Sequence, residues 1–209
     1  MTYYTNLFPS GIVGHAYELG LNPIPMVRRI VEDKGLRRTF NLIVTHLPGW
    51  PNARDAERQL YWLLDDVEIV YSRPSLILAK VSDPRKAVLR LRRSLPEHTP
   101  ILRVIPVDAV TYPRVEEVRK VVQELLANAG EGTYAIKLDG HLYSGEGELM
   151  HKIDSIRIIA EGIERKVNLS NPDILVYVKV VPFRRGRLAA IYVGSKSGIL
   201  STVKERGTG

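Results

Sequence analysis

From Phe40 onward the chain alternates between short runs of branched apolar residues and longer stretches whose apolar positions recur at helical spacing. Phe40–His46 reads as a strand, and Pro48, Gly49 and Pro51 punctuate the turn after it. A helix is predicted from about Asn52 to Leu64, with Ala56, Leu60 and Leu63/Leu64 on one face. Val67–Tyr71 and Leu76–Val81 read as strands joined by the turn Ser72-Arg73-Pro74-Ser75. Asp83-Pro84 has the form of a helix start, a capping carboxylate followed by proline in the first turn. Val88, Leu91 and Leu95 then form a buried stripe, Pro96 stops the helix, and Ile101–Val107 is a further strand. The order β-α-β-β-α-β predicts a ferredoxin-like domain over residues 39–110, within an α+β protein.

A second α/β unit is expected over 111–209. Pro113–Asn128 has a strong helical period, Tyr134–Leu138 is a strand, and a long helix is predicted from about Glu146 to Glu164. Its inward positions would be Leu149, Ile153, Ile156, Ala160 and Ile163. Ile174–Val181 and Leu188–Val193 are strands around the hairpin tip Arg184–Arg187. Residues 1–38 differ: they are dense in glycine and proline, with one helix predicted from Pro25 to Lys34, and read as an N-terminal extension.

Composition narrows the function. There is no cysteine, which removes disulfide scaffolds, thiol nucleophiles and Cys-ligated metal sites and fits an intracellular, cytoplasmic protein. No apolar run approaches the ~18 residues of a membrane span, and the first residues lack the pattern of a secretory signal. A net charge of +7 favours a polyanionic partner, most often nucleic acid. The excess is spread along the chain, so clusters must discriminate: Arg85, Lys86, Arg90, Arg92 and Arg93 on one helix, and Arg184, Arg185 and Arg187 at the hairpin tip. Either can be a solvated surface or a phosphate contact; convergence in space decides.

Catalytic patterns fail. Gly194-Ser195-Lys196-Ser197-Gly198 lacks the spacing of a phosphate loop, and Gly145-Glu146-Gly147 carries an anion where a dinucleotide's pyrophosphate would sit. The five histidines (15, 46, 98, 141 and 151) have no partner at metal-ligand spacing. These readings give no catalytic residue, no metal and no cofactor.

Lys166-Val167-Asn168-Leu169-Ser170-Asn171-Pro172-Asp173, running into the strand from Ile174, resembles the hallmark of the THUMP domain. Gly132–Lys137 resembles that domain's first strand, and Leu102–Val107 resembles the strand that leads into it. The likeness covers roughly residues 39–200. Asn171-Pro172-Asp173 reads as structural, closing turns and fixing the start of a strand. The resemblance implies a tRNA-binding module behind a ferredoxin-like domain, holding the tRNA acceptor end. Most such proteins add a catalytic domain. A chain of this length without one resembles the adaptor that works with a tRNA cytidine acetyltransferase to form N4-acetylcytidine, with the chemistry in the partner. The family's first strand commonly carries an arginine near its end; here Asp139-Gly140-His141 takes that place, and Lys137 and His141 are the nearest cations. The RNA-contacting set expected on this basis is Lys137, His141, Lys152, Arg184, Arg185, Arg187, Lys196 and Arg103. Tyr143 and Tyr192 are candidates for stacking.

Three readings remain open: a non-catalytic tRNA-binding adaptor, an RNA-binding or protein-interaction subunit of another tRNA modification system, and an enzyme whose site the sequence hides.

Overall fold

The computed structural model describes residues 39–203. The extension 1–38, with its predicted helix, lies outside the described residues. Seven elements build the first layer pair: β1 (Leu42–His46), α1 (Trp50–Leu63), β2 (Glu68–Arg73), β3 (Leu76–Lys80), α2 (Pro84–Ser94), β4 (Ile101–Pro106) and, from much later in the chain, a short terminal strand (Leu200–Ser201). The sheet order is β2-β3-β1-β4 followed by that terminal strand. β1 runs antiparallel to both neighbours, with Ile43 opposite Leu78 and Ile105. This is the ferredoxin-like split βαβ expected from the element order.

The helix starts follow local chemistry. Gly49, with φ at 107°, turns the chain into α1, and Pro51 occupies its first turn. The Asp83 carboxylate accepts from the Arg85 and Lys86 backbone N–H groups, each at 3.0 Å, as the capping pattern requires. The β2–β3 hairpin closes on Pro74-Ser75, with Ser75 at φ 81°.

The second half begins with β5 (Ala109–Thr111), followed by α3 (Val115–Ala127), β6 (Tyr134–Asp139), α4 (Lys152–Ala160), β7 (Ile174–Phe183) and β8 (Gly186–Gly194). Their order in the sheet is β5-β8-β7-β6, with β6 and β7 parallel and the other pairs antiparallel. Because side chains alternate along a strand, each sheet buries both faces. On the first sheet Leu42, Val44, Ile77 and Val104 pack under α1 and α2 with Ala56, Leu60, Val88 and Leu91. Its other face, with Phe40, Ile43, Leu78 and Ile105, meets Tyr177, Val181, Leu188, Ala190 and Tyr192 of the second sheet. The far face of that sheet, with Val176, Val178 and Ile191, packs on Val118 and Val122 of α3 and Ile159 of α4. The result is four layers, helices outside and two sheets face to face.

α4 corrects the sequence reading. It spans Lys152–Ala160 and not Glu146–Glu164. The preceding residues fold back on themselves: Met150 N–H donates to Leu142 O at 2.9 Å, and the Glu148 N–H donates to Ser144 O γ at 3.2 Å. Leu149 and Ile153, expected inward, are exposed, while Ser155 and Ile159 are buried. The apolar period is real but is used by two different conformations. On α1, Trp50, Tyr61 and Trp62 are also exposed, Trp62 to 81%. Among the described residues no helix is long and apolar enough to cross a membrane.

Candidate nucleic-acid interface

The two sheets part toward the β6 side, leaving an open cleft of about 1430 Å3. Its walls come from β6 (Ala135–Leu138), β7 (Leu175, Tyr177), Arg103 of β4, the Leu169–Pro172 loop, and the segment Ser195–Ser201 that carries the chain from the second sheet back to the first. Three of the expected residues therefore converge from separate segments: Arg103, Lys137 and Lys196 all line this space. The Lys137 ammonium lies 5.6 Å from the centre of the Tyr177 ring.

Next to it sits a charge pair. Asp139 and Lys179 are opposite each other in the parallel β6–β7 register, and Lys179 Nζ donates to Asp139 Oδ2. The Tyr177 hydroxyl donates to the same oxygen at 2.9 Å. Burial pushes the Asp139 carboxyl upward, but the Lys179 hydrogen bond and charge, the Tyr177 hydrogen bond and the Lys152 charge hold it below the usual carboxylate range. Burial raises the Tyr177 phenol, and the Asp139 charge raises it further, with Arg103 pulling the other way. Lys152, the exposed first residue of α4, is not part of the cleft lining. His141 is exposed in the loop after β6 and is not part of the cleft lining.

Arg184, Arg185 and Arg187 are placed elsewhere. They stand exposed at the β7–β8 hairpin, at the other end of β7 from Tyr177. The eight expected residues are therefore not one continuous rim. The α2 cluster is largely consumed by the fold. Arg85 pairs with Asp108 at 2.7 Å, Arg90 pairs with Asp65, and Arg92 donates to the Ser197 and Ile199 carbonyls, pinning the segment that closes the cleft. Tyr192 is buried and its hydroxyl donates to Ser195 O at 2.9 Å, so its ring is unavailable for stacking on a ligand.

The Asn-Pro-Asp segment is tied down locally, and its Asn171 and Pro172 also line the cleft. Asn168, rather than Asn171, closes the turn: its Oδ1 accepts from the Ser170 and Asn171 N–H groups at 3.2 and 3.1 Å. Asp173 Oδ2 accepts from the Thr133 N–H and hydroxyl at 2.8 and 2.7 Å, which ties the starts of β6 and β7 together. This turn sets the Leu169–Pro172 wall of the cleft.

Sequence reasoning missed Tyr177, Lys179 and Asp139 as a unit. The signal was a lysine inside an otherwise apolar strand, on the same face as a tyrosine two residues before it. Such a lysine needs a counter-charge when buried. Among the described residues no group of three or more His, Asp or Glu side chains is placed to hold a metal ion.

No known protein-family profile and no curated protein matches the chain. Solved structures do. PH1313 from Pyrococcus horikoshii Ot3 matches at 14% identity with a TM-score of 0.50, over 75% of this chain and 55% of that one. A 4-thiouridine synthetase in complex with RNA and bound ATP matches at 16% identity and a TM-score of 0.46, over 75% and 42%. TrmN from Thermus thermophilus matches at 16% identity and 0.45, over 73% and 44%. The chain spans about half the length of these structures, and its likeness to PH1313 is one of fold.

Proposed function

We propose that this chain is a THUMP-type RNA-binding protein that seats the acceptor end of tRNA in the cleft between its two sheets. In this reading it presents the tRNA to a cytidine acetyltransferase for N4-acetylcytidine formation, and the partner carries out the chemistry. The observation that carries the proposal is the meeting of Arg103, Lys137 and Lys196, from three distant segments, in one open cleft. Cations that converge in one open cleft suit an unpaired strand, whose backbone phosphates need charge along a groove. The resemblance of the Lys166–Asp173 segment to the THUMP hallmark supports the same reading, since that segment builds a wall of the cleft.

The combined variant Arg103→Ala, Lys137→Ala, Lys196→Ala tests it in a filter-binding assay with tRNA across a salt series. Each lost phosphate contact to an unpaired strand flattens the slope of log K against log salt by roughly 0.7. A slope and affinity equal to wild type would place the RNA elsewhere. Deleting the gene and reading nucleosides by mass spectrometry tests the adaptor role: selective loss of N4-acetylcytidine supports it, and loss of another nucleoside assigns the protein to a different modification system.

A further inference from the structure

α1 buries one face and displays an aromatic one. Ala53, Ala56 and Leu60 are buried, and Ala56 and Leu60 pack on the first sheet. At about 100° per residue, Trp50, Arg54, Arg58, Tyr61 and Trp62 fall within roughly 120° of one another on the opposite side, and all five are exposed. Trp50 is 58% exposed, Tyr61 57% and Trp62 81%. An aromatic side chain carries about 150–250 Å2, so these rings present roughly 400 Å2 of apolar surface to water. That equals the largest apolar patch a typical monomer shows, and a patch of that size is often a binding site. None of the rings belongs to the core beneath the helix, so the fold does not need them. From Trp50 to Trp62 the face runs about 18 Å at 1.5 Å per residue, a length suited to one side of a protein interface.

Charge decides what covers this face. Residues 50–68 hold two arginines against five carboxylates (Asp55, Glu57, Asp65, Asp66 and Glu68), a balance that repels a phosphate backbone. A second copy fits no better. A two-fold axis through the middle of the face sets Arg54 and Arg58 against the same residues of the other copy, and each chain carries +7. The arginines lie between Trp50 at one end and Tyr61 and Trp62 at the other. Arg58 stands 3.4 Å from Asp55, but both side chains are largely in water, so that pair is weak and readily exchanged for a partner's carboxylate. Tryptophan, tyrosine and arginine are also the side chains that dominate binding at protein interfaces. We infer that the outer face of α1 docks a protein partner whose surface offers apolar pockets around an acidic centre. The inference rests on the proposed adaptor role, under which that partner is the acetyltransferase. It gives the contact a place apart from the RNA: α1 lies on the opposite side of the first sheet from the second sheet, and none of its residues lines the cleft.

Two variants of the full-length chain test this. The ring variant is Trp50→Gln, Tyr61→Gln, Trp62→Gln, and the arginine variant is Arg54→Gln, Arg58→Gln. Glutamine is a good helix former, so α1 is kept, and circular dichroism spectra matching wild type verify it. Each protein is titrated into purified tRNA cytidine acetyltransferase by calorimetry without tRNA, and into tRNA by filter binding. The ring variant should bind the enzyme at least about a hundredfold more weakly and the arginine variant roughly tenfold more weakly, while both bind tRNA as wild type does. An enzyme that holds the ring variant as tightly as wild type overturns the inference and leaves the adaptor role standing. An enzyme that binds not even the wild-type chain removes the adaptor role, and this surface with it. Weaker tRNA binding by the ring variant makes the face an RNA contact. A wild-type dimer that the ring variant turns monomeric in sedimentation makes it a self-association surface. Either of these last two results also overturns the inference.

Discussion

Asp108 bridges the two halves of the molecule, and removing it should cost more than removing its cationic partner. Its Oδ1 meets Arg85 of α2 at 2.7 Å, and its Oδ2 accepts from the Val193 N–H of β8 at 2.8 Å. Arg85 also donates to Val193 O at 3.3 Å and lies 5.8 Å from the Tyr192 ring centre. The two ends of the pair differ in exposure: the Asp108 side chain is 13% exposed and that of Arg85 54%. Asp108→Ala deletes the ion pair and orphans the N–H of Val193, a buried residue. An unsatisfied buried donor costs about 1–3 kcal/mol, and a half-exposed pair contributes up to about 1 kcal/mol, so the loss should be about 1–4 kcal/mol. Arg85→Ala leaves the Asp108–Val193 bond in place and should cost about 1 kcal/mol. Asp108→Asn keeps an acceptor for Val193 and should recover most of the difference. Urea unfolding of the three variants and of the double variant gives the ordering and the coupling energy. An Arg85→Ala loss equal to or larger than that of Asp108→Ala would refute the reasoning, because the orphaned amide would then carry no penalty.

Two further outcomes are expected. Gly132 has φ at 137°, and a Cβ there would stand 2.8 Å from Asp173 Cβ, so Gly132→Ala should destabilise by about 2–4 kcal/mol, read from the urea midpoint; a change under about 0.5 kcal/mol contradicts the close approach. Asp139 is held below its ordinary pKa of 3.8 in the folded protein, so its contribution to stability is complete well above that pH and disappears as the pH falls through 3.8 toward the lower folded value. Asp139→Asn should therefore flatten the acid side of a stability-against-pH curve, and parallel curves for the two proteins below roughly pH 4 would count against the Lys179–Asp139 pairing.

The ferredoxin-like half was legible because local signals agreed with one another. The Asp83-Pro84 cap, the two-residue hairpin at Pro74-Ser75 and the period of Leu60, Val88 and Leu91 each act within a few residues. What failed to show was whatever depends on distant partners. The terminal strand is two residues long and exists because Leu200 pairs with Val104. Leu149 and Ile153 keep a helical period, yet the turn through Ser144 and Gly147 breaks the helix before the period can be used. At the candidate site, Arg103, Lys137 and Lys196 are named by the chain, but their convergence follows from how the two sheets diverge. The arginines of α2 and those of the hairpin tip look alike in one dimension; carboxylates and carbonyls far away in sequence make the first set structural.

Both tryptophans of the chain project from the outer side of α1 into water, apart from the cores and from the cleft. Their emission in the native protein should already be red and strongly quenched by iodide, with little left to change on denaturation. Fluorescence excited at the indole band is therefore a poor reporter of folding here, and circular dichroism has to follow the melt. A tryptophan placed at Ile199, on the cleft wall, would give RNA binding an optical signal that the natural chain lacks.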